Sequence, residues 1–235
     1  MSAEPFDFDG DYGDGYEQLA RTVIPGYLSS FRQALALLRG RLGPRARVLV
    51  VGAGTGIEIV TFKAAEPGWR LTGVDPSAQM LEIAEHRVRQ AGVGDGVALI
   101  HGTVADLDGS RFEAATCFNV MHFLPDDPGA GGKQALLSGI AEHLAPGAPF
   151  VLFELHGDPA APDFDELFTA WIRFCEIQGM GDAERAEFRG KIDAGIHWAS
   201  EARIREMLDR AGFEDARRYF RSLLYGGWIA RRSPS

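Results

Sequence analysis

"VLVVGAGTGIE", Val48 to Glu58, decides how this chain is read. Val48 to Val51 is a continuous apolar run, the pattern of a strand buried on both faces. Gly52, Gly54 and Gly56 follow at alternate positions, and helical periodicity begins at once. A strand that turns sharply into a helix needs residues tolerant of left-handed backbone. Without a Cβ, such residues also let a ligand approach the chain. N–H groups at the helix start are expected to face that ligand. Asp75 lies nineteen residues after Gly56, at the end of a second strand in "WRLTGVDPS". A carboxylate there can accept hydrogen bonds from both ribose hydroxyls. Strand, glycine turn, helix and a second-strand acid together predict a nucleotide site. The plainer alternative is a tight turn with a capping acid.

The pattern continues outward as alternating elements. Residues 1–15 are rich in acids and glycines and are expected to be mobile. Two helices are predicted from Gly15 to Leu42, split by "IPGY" at 24–27, with Leu28, Phe31, Leu35, Leu38 and Leu42 at helical spacing. A helix from about Gly56 to Ala65 follows the glycines. Pro76 and Ser77 open another through about Gln90, with Met80, Leu81, Ala84 and Val88 on one face. "VALIHG" reads as a third strand, "FEAATCFNVMHFL" as a fourth and "APFVLFEL" as a fifth, with a helix over Lys133 to Leu144. Five strand–helix alternations predict an α/β fold, a Rossmann-like doubly wound parallel sheet. The rhythm then changes. Helices are predicted at about 163–178 and 182–194, and Ser200 caps one through Ala211 that Gly212 ends. "FEDARRYFRSLLYGGWIARR" predicts a terminal antiparallel hairpin, which is uncommon in dinucleotide folds. The expected organisation is one domain over 1–235: a helical lid at 1–42, a cofactor-binding core at 43–156, a helical substrate insertion at 157–199, and a terminal helix and hairpin at 200–235.

Composition narrows the function. The chain has 235 residues, a net charge of -9 and two cysteines. An acidic chain is a poor nucleic-acid binder, although "RRYFR" and "ARR" leave room for a local basic face. No apolar run reaches membrane-spanning length, and the acidic opening "MSAEPFDFDGDYGDGYEQ" is not a signal peptide. Cys117 and Cys175 have neither disulfide-framework nor metal spacing, so a cytoplasmic protein without a metal site is expected.

The glycine spacing is G-x-G-x-G, and Ile57 stands where a dinucleotide fold places a third small residue. Here the chain resembles the class I S-adenosylmethionine-dependent methyltransferases. "VLVVGAGTGIE" is similar to their first motif, "LTGVDPSAQMLEIAEHR" to the segment after it, and "LAPGAPFVLFE" to their fifth-strand region. The terminal hairpin fits their seven-stranded sheet. The resemblance spans about Gly15 to Arg232. It implies S-adenosyl-L-methionine as cofactor. Gly52, Ala53, Gly54, Thr55 and Gly56 would line its methionine part. Asp75 would hold the ribose, Pro76 and Met80 would flank the adenine, and Thr103 and Val104 would meet its ring and amino group. Asn119 and Val120 would approach the methionyl group, under Tyr16 and Tyr27. The family often has Asp at the Thr103 position and an acid where Val50 sits. "RTVIPGY" and "AGFEDARRYFRSLLYGGWIA" resemble a narrower subgroup that includes tRNA wobble-uridine carboxymethyltransferases, which use carboxy-S-adenosylmethionine. By that resemblance Tyr27 contacts cofactor and Arg189 grips an extra carboxylate. Gly190, where that subgroup has tyrosine, departs from it.

Methyl transfer from a sulfonium is a direct displacement, so the protein's task is alignment and exclusion of water. A weakly acidic nucleophile also benefits from a general base. His122 after the fourth strand and Glu154 ending the fifth are the catalytic candidates, with His156 beside them. Substrate candidates sit on two covers: Tyr12 on the N-terminal one, and Trp171, Arg189, His197 and Trp198 on the insertion. Trp171 and Phe174 also have core spacing. The N-terminal cover is expected to order over bound cofactor. The expected partner is a small-molecule acceptor, taking methyl on O or N; a homodimer is left open. The alternatives are a carboxymethyltransferase of tRNA, a cofactor-binding protein without transfer activity, and, least favoured, an NAD-dependent dehydrogenase.

Overall fold

A computed structural model describes residues 6–9, 12–126 and 131–234, with side chains for all but 12–14. Seven strands form one sheet in the order β3-β2-β1-β4-β5-β7-β6. β1 (Arg47–Val51), β2 (Arg70–Asp75), β3 (Val97–His101), β4 (Ala114–Phe118) and β5 (Pro149–Leu155) run parallel. β6 (Phe213–Ser222) and β7 (Tyr225–Arg232) form the predicted hairpin, and β7 lies antiparallel against β5. Strand order reverses between β1 and β4, and ligands bind beyond the carboxyl ends of strands at such a point.

Helices cover both faces. α1 (Tyr12–Val23), α2 (Tyr27–Arg39), α3 (Ile57–Ala65), α4 (Ala78–Gln90), α5 (Lys133–Glu142), α6 (Phe164–Ile177), α7 (Asp182–Gly195) and α8 (Glu201–Arg210) follow in chain order. The periodic residues of α2 behave as their spacing requires: Phe31, Leu35 and Leu38 are buried. One core cluster joins α1, α2, α3, α6 and α7 to one face of the sheet, and a second joins α5 and α8 to the other. Ser77 caps α4, its side chain accepting from Met80 N at 3.1 Å, so the helix proper starts at Ala78.

One expectation is corrected. The fourth strand stops at Phe118, well short of "MHFL". Asn119 adopts φ 58°, a left-handed conformation that asparagine tolerates, and Met121–Phe123 is a 3-10 turn. The amide of Met121 donates to the buried Glu154 carboxylate at 2.8 Å, which turns the chain out of the sheet. Within 1–15, expected to be mobile, the described residues make specific contacts. The rings of Phe6 and Phe8 pack edge-on against Phe123, and α1 starts at Tyr12. Phe6 and Phe8 are both half-buried. Residues 1–5, 10 and 11 lie outside the described residues.

The first turn of α3 buries Glu58, whose Oε1 has no hydrogen-bond partner. Burial pushes this carboxyl up from 4.5 to about 7, and a hydrogen bond from Thr116 limits the rise. Its folded-state value exceeds its unfolded one, so its stability contribution is fully present below pH 4.5 and is lost as pH rises to about 7. Glu58→Gln is therefore expected to stabilise the protein by about 2–3 kcal/mol at pH 8, with the gain fading below pH ~5. Urea unfolding at both pH values checks this; an equal effect at the two would contradict it.

Candidate active site

The glycine turn is built by its own backbone. Gly52, Gly54 and Gly56 all have positive φ, at 69°, 50° and 75°. A Cβ at Gly52 would come within 2.2 Å of Val120, and one at Gly56 within 2.9 Å of Ala84, where α3 crosses α4. Gly56 thus does the close-packing work that a dinucleotide motif gives its third glycine. The amides of Gly52 and Ala53 donate to Val74 O at 2.9 and 3.1 Å, Gly56 N to Ala53 O at 2.9 Å, and Gly54 N to Asp75 Oδ2 at 2.8 Å. These four amides are spent inside the protein. The amides left for a ligand are therefore those at the start of α3, as expected, and not those of the glycine turn before it. The turn offers shape instead: a Cβ at Gly54 would meet only the Gly52 carbonyl, at 3.9 Å.

Around this turn the strand ends gather the other residues. Asp75 ends β2, its Oδ1 accepting from Ser77 N at 2.9 Å. Burial raises its carboxyl above the usual range, and the bonds from Ser77 and Gly54 oppose that rise. Pro76 is bonded through its carbonyl to His101 Nε2 at 2.9 Å, and Met80 is buried beneath α4. Thr103 caps the short turn of Val104–Asp106, its amide and hydroxyl both donating to Asp106 Oδ2, at 2.7 and 3.0 Å, and Val104 is buried. Asn119 is buried after β4 with Oδ1 unpartnered, and Thr55 Oγ1 is a second buried oxygen without a partner. Orphaned buried oxygens are costly unless a ligand completes them. Together with the open space at Gly54, they fit the methionine and ribose parts of S-adenosylmethionine.

Beside Asn119 lies a small, partly open cavity of about 40 Å³. Its walls are apolar: Ala20, Val23 and Ile24 from the first cover, Phe188, Ile192 and Ile196 from the second, with Trp171, Leu155 and Tyr225. Asn119 and His122 supply polar groups, and none of the described lining residues is Arg or Lys. His122 Nδ1 makes a short contact with Glu154 Oε1, in a pair that is almost wholly buried. Glu154 also accepts from Met121 N and Leu155 N. Three contacts converge on one carboxylate, which fixes the orientation of the imidazole through Nδ1. β4 and β5 pair Phe118 with Phe153, which brings the two residues to the same edge.

The remaining candidates divide. Tyr16 lines the cavity, and burial, with Asp75 and Glu154 nearby, keeps its phenol neutral. Tyr27 is core, packed on Phe31 with its phenol raised by burial. Trp171 serves both roles: it lines the cavity and donates to Val23 O at 2.6 Å from a fully buried position. Trp198 packs edge-on against Phe164 outside the cavity. His197 is bound through its amide to His122 O at 2.8 Å, holding the insertion to the site. Arg189 lies over the Phe168 ring at 5.1 Å, not among the lining residues. His156 is pushed down to about 4 by burial and stays neutral. The Tyr12 side chain lies outside the described residues. Sequence reading missed Phe8 and Asp9: Ser77 Oγ lies 2.9 Å from Phe8 O and 2.7 Å from Asp9 Oδ1, closing the segment over Asp75. It also missed Lys133, whose buried Nζ donates to Met121 O at 2.8 Å and to Leu124 O. Neither aromatic-rich termini nor a lysine at a helix start carries a sequence signal for such placement.

Residues 49–150, which span β1 to β5, match the family model described as "Methyltransferase domain". Residues 49–150 thus form a methyltransferase domain, and this match and the chain's relatives support the class I S-adenosylmethionine-dependent methyltransferases as its family. Curated relatives include a carboxy-S-adenosyl-L-methionine synthase of Klebsiella pneumoniae, 23% identical over 96% of this chain and 91% of that protein. Another, of the same name from Aeromonas salmonicida, is 24% identical over 97% and 92%. Among solved structures, magnesium protoporphyrin IX methyltransferase from Synechocystis PCC 6803 with bound S-adenosylhomocysteine aligns with a TM-score of 0.69 at 19% identity, covering 96% of both chains. Human N-acetylserotonin methyltransferase aligns at 0.60 and 16%, covering 94% of this chain and 55% of that one. Both structural likenesses are of fold. The methyltransferase domain and its relatives support S-adenosylmethionine as the cofactor. Among the described residues no helix is long and apolar enough to cross a membrane.

Proposed function

We propose that this methyltransferase transfers a methyl group to the oxygen, or failing that the nitrogen, of a small apolar acceptor seated in the cavity beside Asn119. The observation that carries this is the His122–Glu154 pair at the cavity's polar side. The cofactor supplies an electrophilic methyl on sulfonium. Glu154 fixes the imidazole, and His122 Nε2 accepts the acceptor's hydroxyl proton as its oxygen bonds to the methyl. The apolar walls hold the rest of the acceptor and exclude water. Without a lining cation, the cavity favours a neutral body with one weakly acidic O–H, such as a phenol. Gly52–Gly56, Asp75, Pro76, Met80, Thr103, Val104, Asn119 and Val120 form the cofactor seat, closed by Tyr16. Trp171 is the substrate-facing aromatic. A reduced cytoplasmic setting fits the buried, unpaired Cys117 and Cys175.

Incubation with methyl-labelled cofactor and a panel of phenols, alcohols and aryl amines tests the proposal. Transfer to phenols is the expected result, and binding without transfer to any member counts against it. A second reading, carboxylated-cofactor chemistry, draws on the names of the full-length relatives. It predicts a carboxylated adduct retained by the purified protein and lost in Arg189→Ala, read by mass spectrometry. The placement of Arg189 over Phe168 weighs against that role.

A further inference from the structure

Lys133 is the first residue of α5, yet its side chain is 1% exposed. The start of a helix carries partial positive charge, so an ammonium there gains nothing from its own helix. Burying it costs free energy unless other groups compensate. The compensation comes from the neighbouring turn. Nζ donates to the carbonyls of Met121 and Leu124, which bracket His122 and Phe123. From the other side the Glu154 carboxylate accepts from Met121 N and contacts His122 Nδ1. The turn is thus held at its amide end by an anion and at its carbonyl end by a cation.

Resting on the reading of His122 as base, we propose that Lys133 is a positioning residue. Its ammonium pins the Met121–Phe123 turn and balances Glu154, keeping the imidazole aimed at the cavity. A carboxylate alone would favour the imidazolium, which cannot accept a proton. Burial pushes the Lys133 ammonium down to about 8, and Glu154 and Asp126 limit the fall, so it is charged at neutral pH. Among the described residues, the other titratable groups around the pair are as follows. Asp126 is held by Arg203 at 2.9 Å. Tyr16 from α1 and Cys117 from β4 are raised by burial and stay neutral, as does His156, which is lowered. His197 meets His122 through its backbone.

The test is side-chain nitrogen NMR on the full-length ¹⁵N-histidine protein, with the His122 signal assigned from its loss in His122→Ala. Lys133→Gln keeps donors for the carbonyls and removes the charge. Lys133→Arg keeps the charge. The His122 titration midpoint is expected to rise by about one pH unit in Lys133→Gln and to stay within about a quarter unit in Lys133→Arg. Lys133→Met, which also removes the donors, is expected to speed amide exchange at Phe123 and Leu124 by about tenfold. An unmoved midpoint in Lys133→Gln, or an equal rise in Lys133→Arg, overturns the proposal. Because these readouts need no acceptor, they fail separately from the base assignment, which His122→Ala turnover decides.

Discussion

His122→Ala is expected to lower kcat by about 10² to 10⁴-fold, the range for losing a positioned general base. The assay uses labelled cofactor and a phenol that the unmodified enzyme methylates. Cofactor affinity should stay within about twofold, because His122 lies across Asn119 from the seat formed by Gly52–Gly56 and Asp75. The loss should be smaller for an acceptor whose hydroxyl is already ionised at the assay pH, since no proton then needs removing. Retention of more than half of kcat with a neutral phenol would refute the base assignment. It would leave the His122–Glu154 pair as a structural clamp on the Met121–Phe123 turn.

Asp75→Ala is expected to weaken binding of S-adenosylhomocysteine by about 10 to 100-fold, the loss of charge-assisted hydrogen bonds worth roughly 1.5–3 kcal/mol. Two effects add. The ribose would lose its acceptor, and the amides of Gly54 and Ser77 would lose theirs, so the turn itself would slacken. Asp75→Asn separates them: its carbonyl can still accept one amide, so its loss should be intermediate. Calorimetric titration of folded variants reads both. Equal affinity for Asp75→Ala and the unmodified protein would remove Asp75 from the cofactor site.

The fold was legible because its signals are local or periodic. An apolar run ending in glycines, an acid at the next strand end and a terminal hairpin each need only neighbours in sequence. The site was legible in its parts and not in its assembly. His122 and Glu154 are 32 positions apart, and only the β4–β5 register unites them. Lys133 reads as an ordinary helix start, because nothing in its neighbourhood says where a long side chain will reach. The bonds of the loop amides were not legible for a related reason: Val74 O and Asp75 Oδ2 come from β2 and take those donors. Arg189 entered only through the subgroup resemblance. The direction of its side chain is set by packing, here on Phe168.

Hydrogen–deuterium exchange of the unmodified protein, with and without saturating S-adenosylmethionine, tests the cofactor seat most directly. Added protection is expected at 52–56, at 75–80 and at 119–120, where the turn, the Asp75 edge and Asn119 converge. Little change is expected along the β6–β7 hairpin. Binding that protects the hairpin or α8 while leaving 52–56 and 75–80 unchanged would contradict the account.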